Sequence, residues 1–274
     1  MYHDHVNAPS PAYDLIDHAG LGSLLFYPRP DPSTPPKGAL DLAFEVAPGV
    51  RLGARFYPFD RAWPTILYFH GNGEVAGDHD SIAPFYGQIG VNLLVCEFRG
   101  YGRSSGQPTF ATLVADGGPA AVSFHDFLDA NGFAPSRFVM GRSLGANPAL
   151  EVAANHATRF QGFILESGAG NIRRLAGRAG LDVGDGDGLA LVEAHEAKLR
   201  SIRLPGLLIH GDQDELIPVS TAIELNAILE ATECDLIVIP GAGHNDILWV
   251  GNALYFAAIR TFVEKHVLAS EAAK

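Results

Sequence analysis

The chain has little of what marks a disulfide-stapled or membrane-spanning protein. It contains two cysteines, Cys96 and Cys234, in 274 residues, so the sequence predicts no disulfide framework. No uninterrupted apolar run reaches the roughly 18 residues that span a bilayer. Residues 1–5 lack the basic and apolar regions of a signal peptide. These absences predict a soluble, cytoplasmic protein without a membrane span.

Positive charge is scarce as well. There are 19 Lys and Arg residues against 31 Asp and Glu residues, a formal net charge of −12. Nucleic acids and anionic membrane surfaces repel such a chain, so neither is an expected partner. Hydrophobic residues make up 47% of the chain, which is enough to bury the core of one large domain.

The order of the predicted elements indicates the fold class. After a proline-rich arm at residues 1–38, short apolar strands alternate with longer helical patterns throughout residues 39–274. This alternation predicts an α/β domain with a mostly parallel, eight-stranded sheet covered by helices on both faces. The predicted strands are 39–46, 50–57, 65–70, 92–98, 137–140, 162–166, 206–210 and 235–239. The predicted helices are 81–89, 109–131, 144–156, 219–229 and 246–267.

One connection is longer than a crossover between parallel strands requires. Residues 167–204 contain a helical pattern near 189–200 and an Asp-Gly run at 184–188. We interpret the segment as a small lid over the carboxyl edge of the sheet. The Asp-Gly run does not fit the calcium-binding EF-hand spacing and predicts a flexible loop. His3 and His5 are interpreted as part of a solvated terminus, so no metal site is predicted.

The pattern Gly-x-Ser-x-Gly occurs twice, at residues 102–106 and 141–145. With 31 glycines in 274 residues, two flanking glycines occur by chance at roughly 1% of serines, so only the context can decide. Ser143 stands between an apolar strand and an alanine-rich helical pattern, the strand–turn–helix that exposes a nucleophile. Ser104 lies beyond the end of its strand, and Gln107-Pro108 follows its pentapeptide directly; because the residue before a proline is biased away from helix, this predicts a loop. Pro148 predicts an irregular first turn in the helix after Ser143.

A serine nucleophile requires a base, and the base requires an orienting acid. His244 follows the last strand in a glycine-rich turn and is the candidate base. Asp214, after the preceding strand, is the candidate acid, with Glu166 as the alternative. Asp212 is interpreted as a brace for its own loop, and Asp246 as an early helical residue near the helix dipole.

These blocks together resemble the α/β-hydrolase superfamily. The resemblance rests on residues 69–73, 99–104, 141–145, 211–218 and 243–244, in that order along the chain. The Gly-Arg-Ser-Leu-Gly variant is similar to the branch with small esterases, thioesterases and protein depalmitoylases. The depalmitoylases carry an N-terminal cysteine cluster that this chain lacks.

The resemblance implies further site residues. The backbone N–H groups of Asn72 and Leu144 would hold the oxyanion, and His70 would fix the turn before Asn72. Tyr101 and Phe110 are candidates for the acyl pocket or for ordinary packing. Arg142 would either bind an anionic substrate group or pair with a carboxylate such as Glu166.

The expected function is therefore that of a serine hydrolase acting on a small-molecule ester or thioester without a cofactor. An acyltransferase or a peptidase-like amidase could use the same residues. A non-catalytic binding scaffold is a third hypothesis, although such proteins typically lose a member of the triad.

Overall fold

A computed structural model describes residues 11–18, 25–168, 170–229 and 232–272; His3 and His5 lie outside them. Within these residues eight strands form one sheet, in the order β1-β2-β4-β3-β5-β6-β7-β8. The strands are β1 (Leu40–Ala47), β2 (Val50–Tyr57), β3 (Thr65–Phe69), β4 (Asn92–Cys96), β5 (Arg137–Arg142), β6 (Gly162–Glu166), β7 (Gly206–Gly211) and β8 (Cys234–Ile239). The predicted α/β fold class is confirmed.

The sheet is antiparallel at one edge and parallel elsewhere. β1 and β2 form a hairpin, and β2 pairs antiparallel with β4. All pairs from β4 through β8 are parallel. Alternate residues of the central strands enter separate cores: Leu67 and Phe69 pack in one, Ile66 and Tyr68 in the other. A strand buried on both faces reads as a continuous apolar run, which is why the central strands could be predicted from the sequence.

The helices cover both faces of the sheet. They are α1 (Asp14–Ile16), α2 (Ala83–Gln88), α3 (Phe110–Ala115), α4 (Gly117–Ala130), α5 (Ala146–Asn155), α6 (Ile172–Arg178), α7 (Gly186–Ser201), α8 (Val219–Ile228), α9 (Ile247–Val250) and α10 (Asn252–Ala272). Among the described residues, no helix combines the length and the apolar character needed to cross a bilayer.

Two helices predicted as continuous are interrupted. The pattern at 109–131 forms α3 and α4, which are separated at Asp116. Pro119 cannot donate the backbone hydrogen bond that a continuous helix would require, but the first turn of a new helix tolerates it. The pattern at 246–267 likewise forms α9 and α10, separated by Gly251. Amphipathic periodicity continues across such breaks, so it did not reveal them.

The segment at 167–204 contributes α6 and α7, which pack against each other. The Asp-Gly run predicted as a flexible loop instead begins α7 at Gly186, and Asp185 stands at the N-cap position of that helix. Asp185 accepts a hydrogen bond from the Gly186 N–H at 2.7 Å, an interaction that favours Asp before a helix.

The described parts of the N-terminal arm lie against the domain. The Tyr13 hydroxyl is 2.8 Å from Nδ1 of His195 on α7. The Asp17 carboxylate accepts hydrogen bonds from the N–H groups of Phe110 and Ala111, at 2.6 and 3.0 Å. The arm therefore contacts both the helix that follows β4 and the segment above the sheet.

Candidate active site

Ser143 stands on a sharp turn between β5 and α5. Its φ is +50°, a left-handed conformation that is strained for any residue other than glycine and clusters at functional sites. Residues 143–145 form a single 3₁₀ turn before α5 begins at Ala146. Pro148 is the third residue of α5, where its missing N–H costs no helical bond. The irregular first turn predicted from Pro148 is thus a 3₁₀ turn that precedes the helix.

The two glycines beside Ser143 are required by close backbone approach. A Cβ on Gly141 would lie 2.2 Å from the carbonyl oxygen of Gly145, and a Cβ on Gly145 would lie 2.2 Å from that of Phe69. Both distances are far below van der Waals contact. The glycines let the start of α5 cross directly over β5 and the end of β3.

The loop after β7 presents Asp214. Its side chain is fully buried, and Oδ1 accepts hydrogen bonds from the N–H groups of Leu216 and Ile217 at 3.0 and 2.8 Å. His210, at the end of β7, holds the same loop through a 2.7 Å bond from Nε2 to the Ile217 carbonyl. These bonds leave Oδ2 of Asp214 directed at the next loop.

His244 lies between Asp214 and Ser143. Its Nδ1 is 2.7 Å from Asp214 Oδ2, and its Nε2 is 3.0 Å from Ser143 Oγ. A carboxylate can only accept, so Nδ1 carries the proton and Nε2 is free to accept from the serine hydroxyl. Three side chains separated by up to 101 positions thus form one hydrogen-bonded chain at the carboxyl edge of the sheet.

Arg142 ties the surrounding loops together. Its Nε donates to Glu166 Oε1 at 3.0 Å, directly across the β5–β6 pair. Its Nη1 donates to the Glu74 carboxylate. Its Nη2 donates to the His244 carbonyl at 2.9 Å and to Asn245 Oδ1 at 3.0 Å. Burial opposes the charge, but the two carboxylates raise the pKa of Arg142 above its usual range. The guanidinium therefore remains charged and holds the backbone of His244 in place.

A cavity of about 550 Å³ opens over Ser143 and His244. Asn72 and Leu144 line it, as do Phe110 and residues of α6. The Asn72 side chain is fixed from behind, because its Oδ1 accepts from the Tyr101 hydroxyl at 2.6 Å and from the Tyr27 N–H at 3.1 Å. The site can therefore hold a small molecule against the serine.

Comparison with known proteins shows which proteins the chain is similar to. A family model described as "Serine aminopeptidase, S33" matches residues 61–181. Protein bem46 of Schizosaccharomyces pombe is 27% identical over 208 residues, which cover 74% of this chain and 68% of bem46. The human alpha/beta hydrolase domain-containing protein 17B is 28% identical over 211 residues, covering 74% of this chain and 67% of that protein.

A solved structure shows the same fold. The esterase Pf2001 of Pyrococcus furiosus superposes with a TM-score of 0.68, at 19% identity, over 88% of this chain and 98% of its own. The chain thus has the fold of α/β-hydrolases, and the matching family model and the relatives indicate the α/β-hydrolase superfamily. The superfamily predicted from the sequence motifs is thereby confirmed.

In this α/β-hydrolase the other candidate acids are occupied elsewhere. Glu166 uses Oε1 for Arg142, and its Oε2 accepts from the Tyr255 hydroxyl at 2.7 Å. Asp246 accepts from the Gly243 N–H at 2.7 Å just before α9. Asp212 Oδ1 accepts from Gln213 Nε2 in its own loop at 3.2 Å and from the Gly241 N–H at 2.7 Å, and so joins the two loops that carry Asp214 and His244.

Of the three candidate pocket residues, Phe110 and Arg142 line the described cavity and Tyr101 does not. The Tyr101 side chain is buried and its hydroxyl is held between Asn72 and Tyr27, which favours the packing alternative. Burial raises the pKa of Tyr101 to about 12. Arg142 does line the cavity, but the guanidinium bonds protein groups on all sides, which favours the pairing alternative.

His70 is buried beside the Asn72 turn. Its Nδ1 donates to the Gly71 carbonyl at 2.7 Å, and burial lowers the pKa of the ring to about 4. A neutral, buried ring with a bond to the adjacent backbone is suited to hold the turn that carries Asn72.

Some neighbours of the site escaped sequence reasoning. Glu74, the second partner of Arg142, lies 68 positions away from it, and no motif links the two. Burial opposes ionisation of Glu74, but the charge of Arg142 holds the pKa of Glu74 below its usual range. Arg174 and Arg178 reach the cavity from α6, in a segment without a recognisable motif. Among the described residues, no cluster of three or more His, Cys, Asp or Glu side chains could hold a metal ion.

Proposed function

We propose that the protein is a serine hydrolase that cleaves a carboxylic ester or thioester through an acyl-enzyme on Ser143. The observation that carries the proposal is the continuous hydrogen-bonded chain from Ser143 through His244 to Asp214, at the base of an open cavity. The name of the Pyrococcus esterase, a structural relative, is consistent with this activity.

The mechanism follows from the donors and acceptors. Ser143 Oγ attacks the substrate carbonyl carbon while His244 Nε2 takes the hydroxyl proton. Asp214 stabilises the resulting imidazolium and keeps its orientation. The protonated His244 then gives the proton to the leaving alcohol or thiol as the acyl bond to that group breaks. Water, deprotonated by the same imidazole, releases the acid and restores Ser143.

The negative charge on the tetrahedral intermediate requires fixed donors. The backbone N–H groups of Asn72 and Leu144 are our candidates, because both residues line the cavity beside Ser143. Leu144 follows the serine within the turn, and the Asn72 side chain is anchored by Tyr101 and Tyr27. Preorganised donors of this kind contribute roughly 10²–10³ in kcat each.

The test is hydrolysis of p-nitrophenyl esters and labelling by a fluorophosphonate probe. Ser143→Ala is expected to lose labelling and to reduce kcat by on the order of 10⁶, because the nucleophile is removed. Ser104→Ala is the matched control from the other Gly-x-Ser-x-Gly pentapeptide and is expected to label normally. Undiminished labelling of the Ser143→Ala variant would contradict the proposal.

Amide cleavage is the second candidate, and the description of the matching family model favours it. An aminopeptidase must hold a free α-amino group, and Glu215 is a carboxylate that lines the cavity. Aminoacyl p-nitroanilides, with and without an acetylated amino group, test this directly. Faster cleavage of the free amine than of any ester, and loss of that preference in Glu215→Gln, would move the assignment to a peptidase.

A further inference from the structure

The walls of the cavity over Ser143 combine apolar and basic side chains. Phe110, Ile172 and Leu175 supply apolar surface, whereas Arg174 and Arg178 bring two guanidinium groups. The two arginines are four residues apart on α6 and therefore lie on one face of that helix. In a chain with a formal net charge of −12, this is a local concentration of positive charge at the site of the reaction.

Neither of these two arginines forms an ion pair with the described part of the protein. Arg174 donates a single hydrogen bond, at 3.1 Å, to the carbonyl of Leu216. The Arg178 side chain forms no hydrogen bond or ion pair with any part of the chain that the structure describes. Both side chains are exposed. Glu215 is the one carboxylate among the described cavity-lining residues, so the two arginines outnumber the acidic groups of the wall.

The neighbouring arginine provides an internal contrast. Arg173, on the same helix, does not line the cavity and bonds the Val183 carbonyl at 3.0 Å and Glu196 at 3.6 Å. Arg142 does line the cavity, but Glu74 and Glu166 neutralise it. Among the described arginines that line the cavity, only Arg174 and Arg178 thus lack an ion pair with a carboxylate.

We propose that Arg174 and Arg178 form an anion subsite, so that the natural substrate is an ester or thioester that carries a negatively charged group in addition to its acyl chain. This inference rests on the proposed function of Ser143 and narrows its substrate class. The apolar wall would receive the acyl chain, and the two guanidinium groups would bind a carboxylate or phosphate. The same charges would attract an anionic substrate to an otherwise acidic protein.

The test compares p-nitrophenol release from matched esters. One pair is the p-nitrophenyl ester of glutarate, whose acyl chain ends in a carboxylate, and the same ester with that carboxylate methylated. The other pair is a butanoate ester of p-nitrophenol with and without a carboxylate on the ring. The first pair places the charge in the acyl group, the second in the leaving group. The readout is the ratio of kcat/KM for the anionic ester to that for its neutral partner.

In at least one pair we expect the anionic ester to be preferred. Each of Arg174→Gln and Arg178→Gln should lower the ratio by roughly two- to five-fold, and the double variant by roughly ten-fold, the size expected for exposed ion pairs. Arg173→Gln is the matched control and should keep the ratio. The double lysine variant should keep most of it, because the charge is retained. The preference should also shrink as salt is raised to about 0.5 M, through screening.

The outcomes separate the two levels of the proposal. An enzyme that hydrolyses the neutral esters but whose ratio is the same in wild type and in the double glutamine variant overturns the anion subsite and leaves the role of Ser143 intact. An equal fall for charged and neutral esters indicates a general disturbance of α6 and also overturns it. No hydrolysis of any ester by the wild type contradicts the proposed function itself.

Discussion

The two Gly-x-Ser-x-Gly pentapeptides are nearly identical in sequence but differ in structure. Residues 102–106 form a loop in which the Ser104 hydroxyl accepts a hydrogen bond from the Gly53 N–H at 2.8 Å. Residues 141–145 close the turn between β5 and α5, where Ser143 reaches His244. The arginines at the second position differ as well, since the Arg103 side chain is 47% exposed and that of Arg142 is 10% exposed. The surroundings, and not the pentapeptide, decide what each serine can do.

The glycines of the two segments also have different causes. Gly102 has a φ of +53°, and a Cβ there would lie 1.6 Å from the buried carboxylate of Glu97, whose oxygens accept from the Ala76 and Arg103 N–H groups at 3.0 Å. Gly141 and Gly145 instead allow backbone to approach backbone. The same sequence pattern thus has two separate steric causes: a side chain close to Gly102, and backbone close to Gly141 and Gly145. Each position of the two pentapeptides can be compared by substitution.

The largest expected effect concerns the partners that only the second pentapeptide has. Asp214→Asn should reduce kcat by about 10⁴, because an amide no longer holds the His244 tautomer that accepts the serine proton. Glu166→Gln, at the alternative acid, should keep most of the kcat of the folded enzyme. Steady-state ester hydrolysis measures both. The opposite ranking would assign the acid role to Glu166.

The next effect concerns Arg103 and Arg142, the arginines at the second position of the two pentapeptides. Arg142→Gln should lower the free energy of unfolding by about 3 kcal/mol or more, because it leaves the buried carboxylate of Glu166 and the partly buried one of Glu74 without their counter-charge. Arg103→Gln removes the half-exposed pair with Asp41 and should cost at most about 1 kcal/mol. Urea unfolding gives both values. Equal losses of unfolding free energy would show that Arg142 contributes no more to stability than Arg103.

A smaller effect separates the final glycines. Gly145→Ala should cost about 1–3 kcal/mol, because the new methyl group would press on the Phe69 carbonyl. It should also lower kcat, since β3 leads directly into the Asn72 turn. Gly106→Ala meets no atom closer than 3.4 Å and should cost only about 1 kcal/mol for its φ of +79°, without a change in kcat. Thermal unfolding combined with ester kinetics tests the pair.

The smallest effect concerns the serines as structural residues. Ser104→Ala should lower stability by about 1 kcal/mol, since the Gly53 N–H loses its acceptor, and should leave kcat unchanged. Ser143→Gly should instead raise stability, because glycine adopts φ near +50° without strain. Denaturant midpoints of the two variants should therefore move in opposite directions. Movement in the same direction would contradict the strain assigned to Ser143.

Much of the fold followed from local patterns, because each central strand is buried on both faces and is continuously apolar. The breaks at Asp116 and Gly251 did not follow, since helical periodicity runs across them. The choice between pocket and packing stayed open for Tyr101 for a similar reason. Its aromatic character suggests a pocket, whereas its contacts with Asn72 and Tyr27 depend on chain segments 29 and 74 positions away.

By itself the sequence determined the order of the strands along the chain, the superfamily, and which serine stands between a strand and a helix. It also placed an aspartate and a histidine after later strands, because the carboxyl ends of parallel strands meet at one edge. Only the tertiary structure showed that Asp214, and not Glu166, bonds His244, because this contact depends on which carboxylate oxygen other groups leave free. It also brought Arg174 and Arg178 over Ser143, because contacts between distant segments are absent from local periodicity.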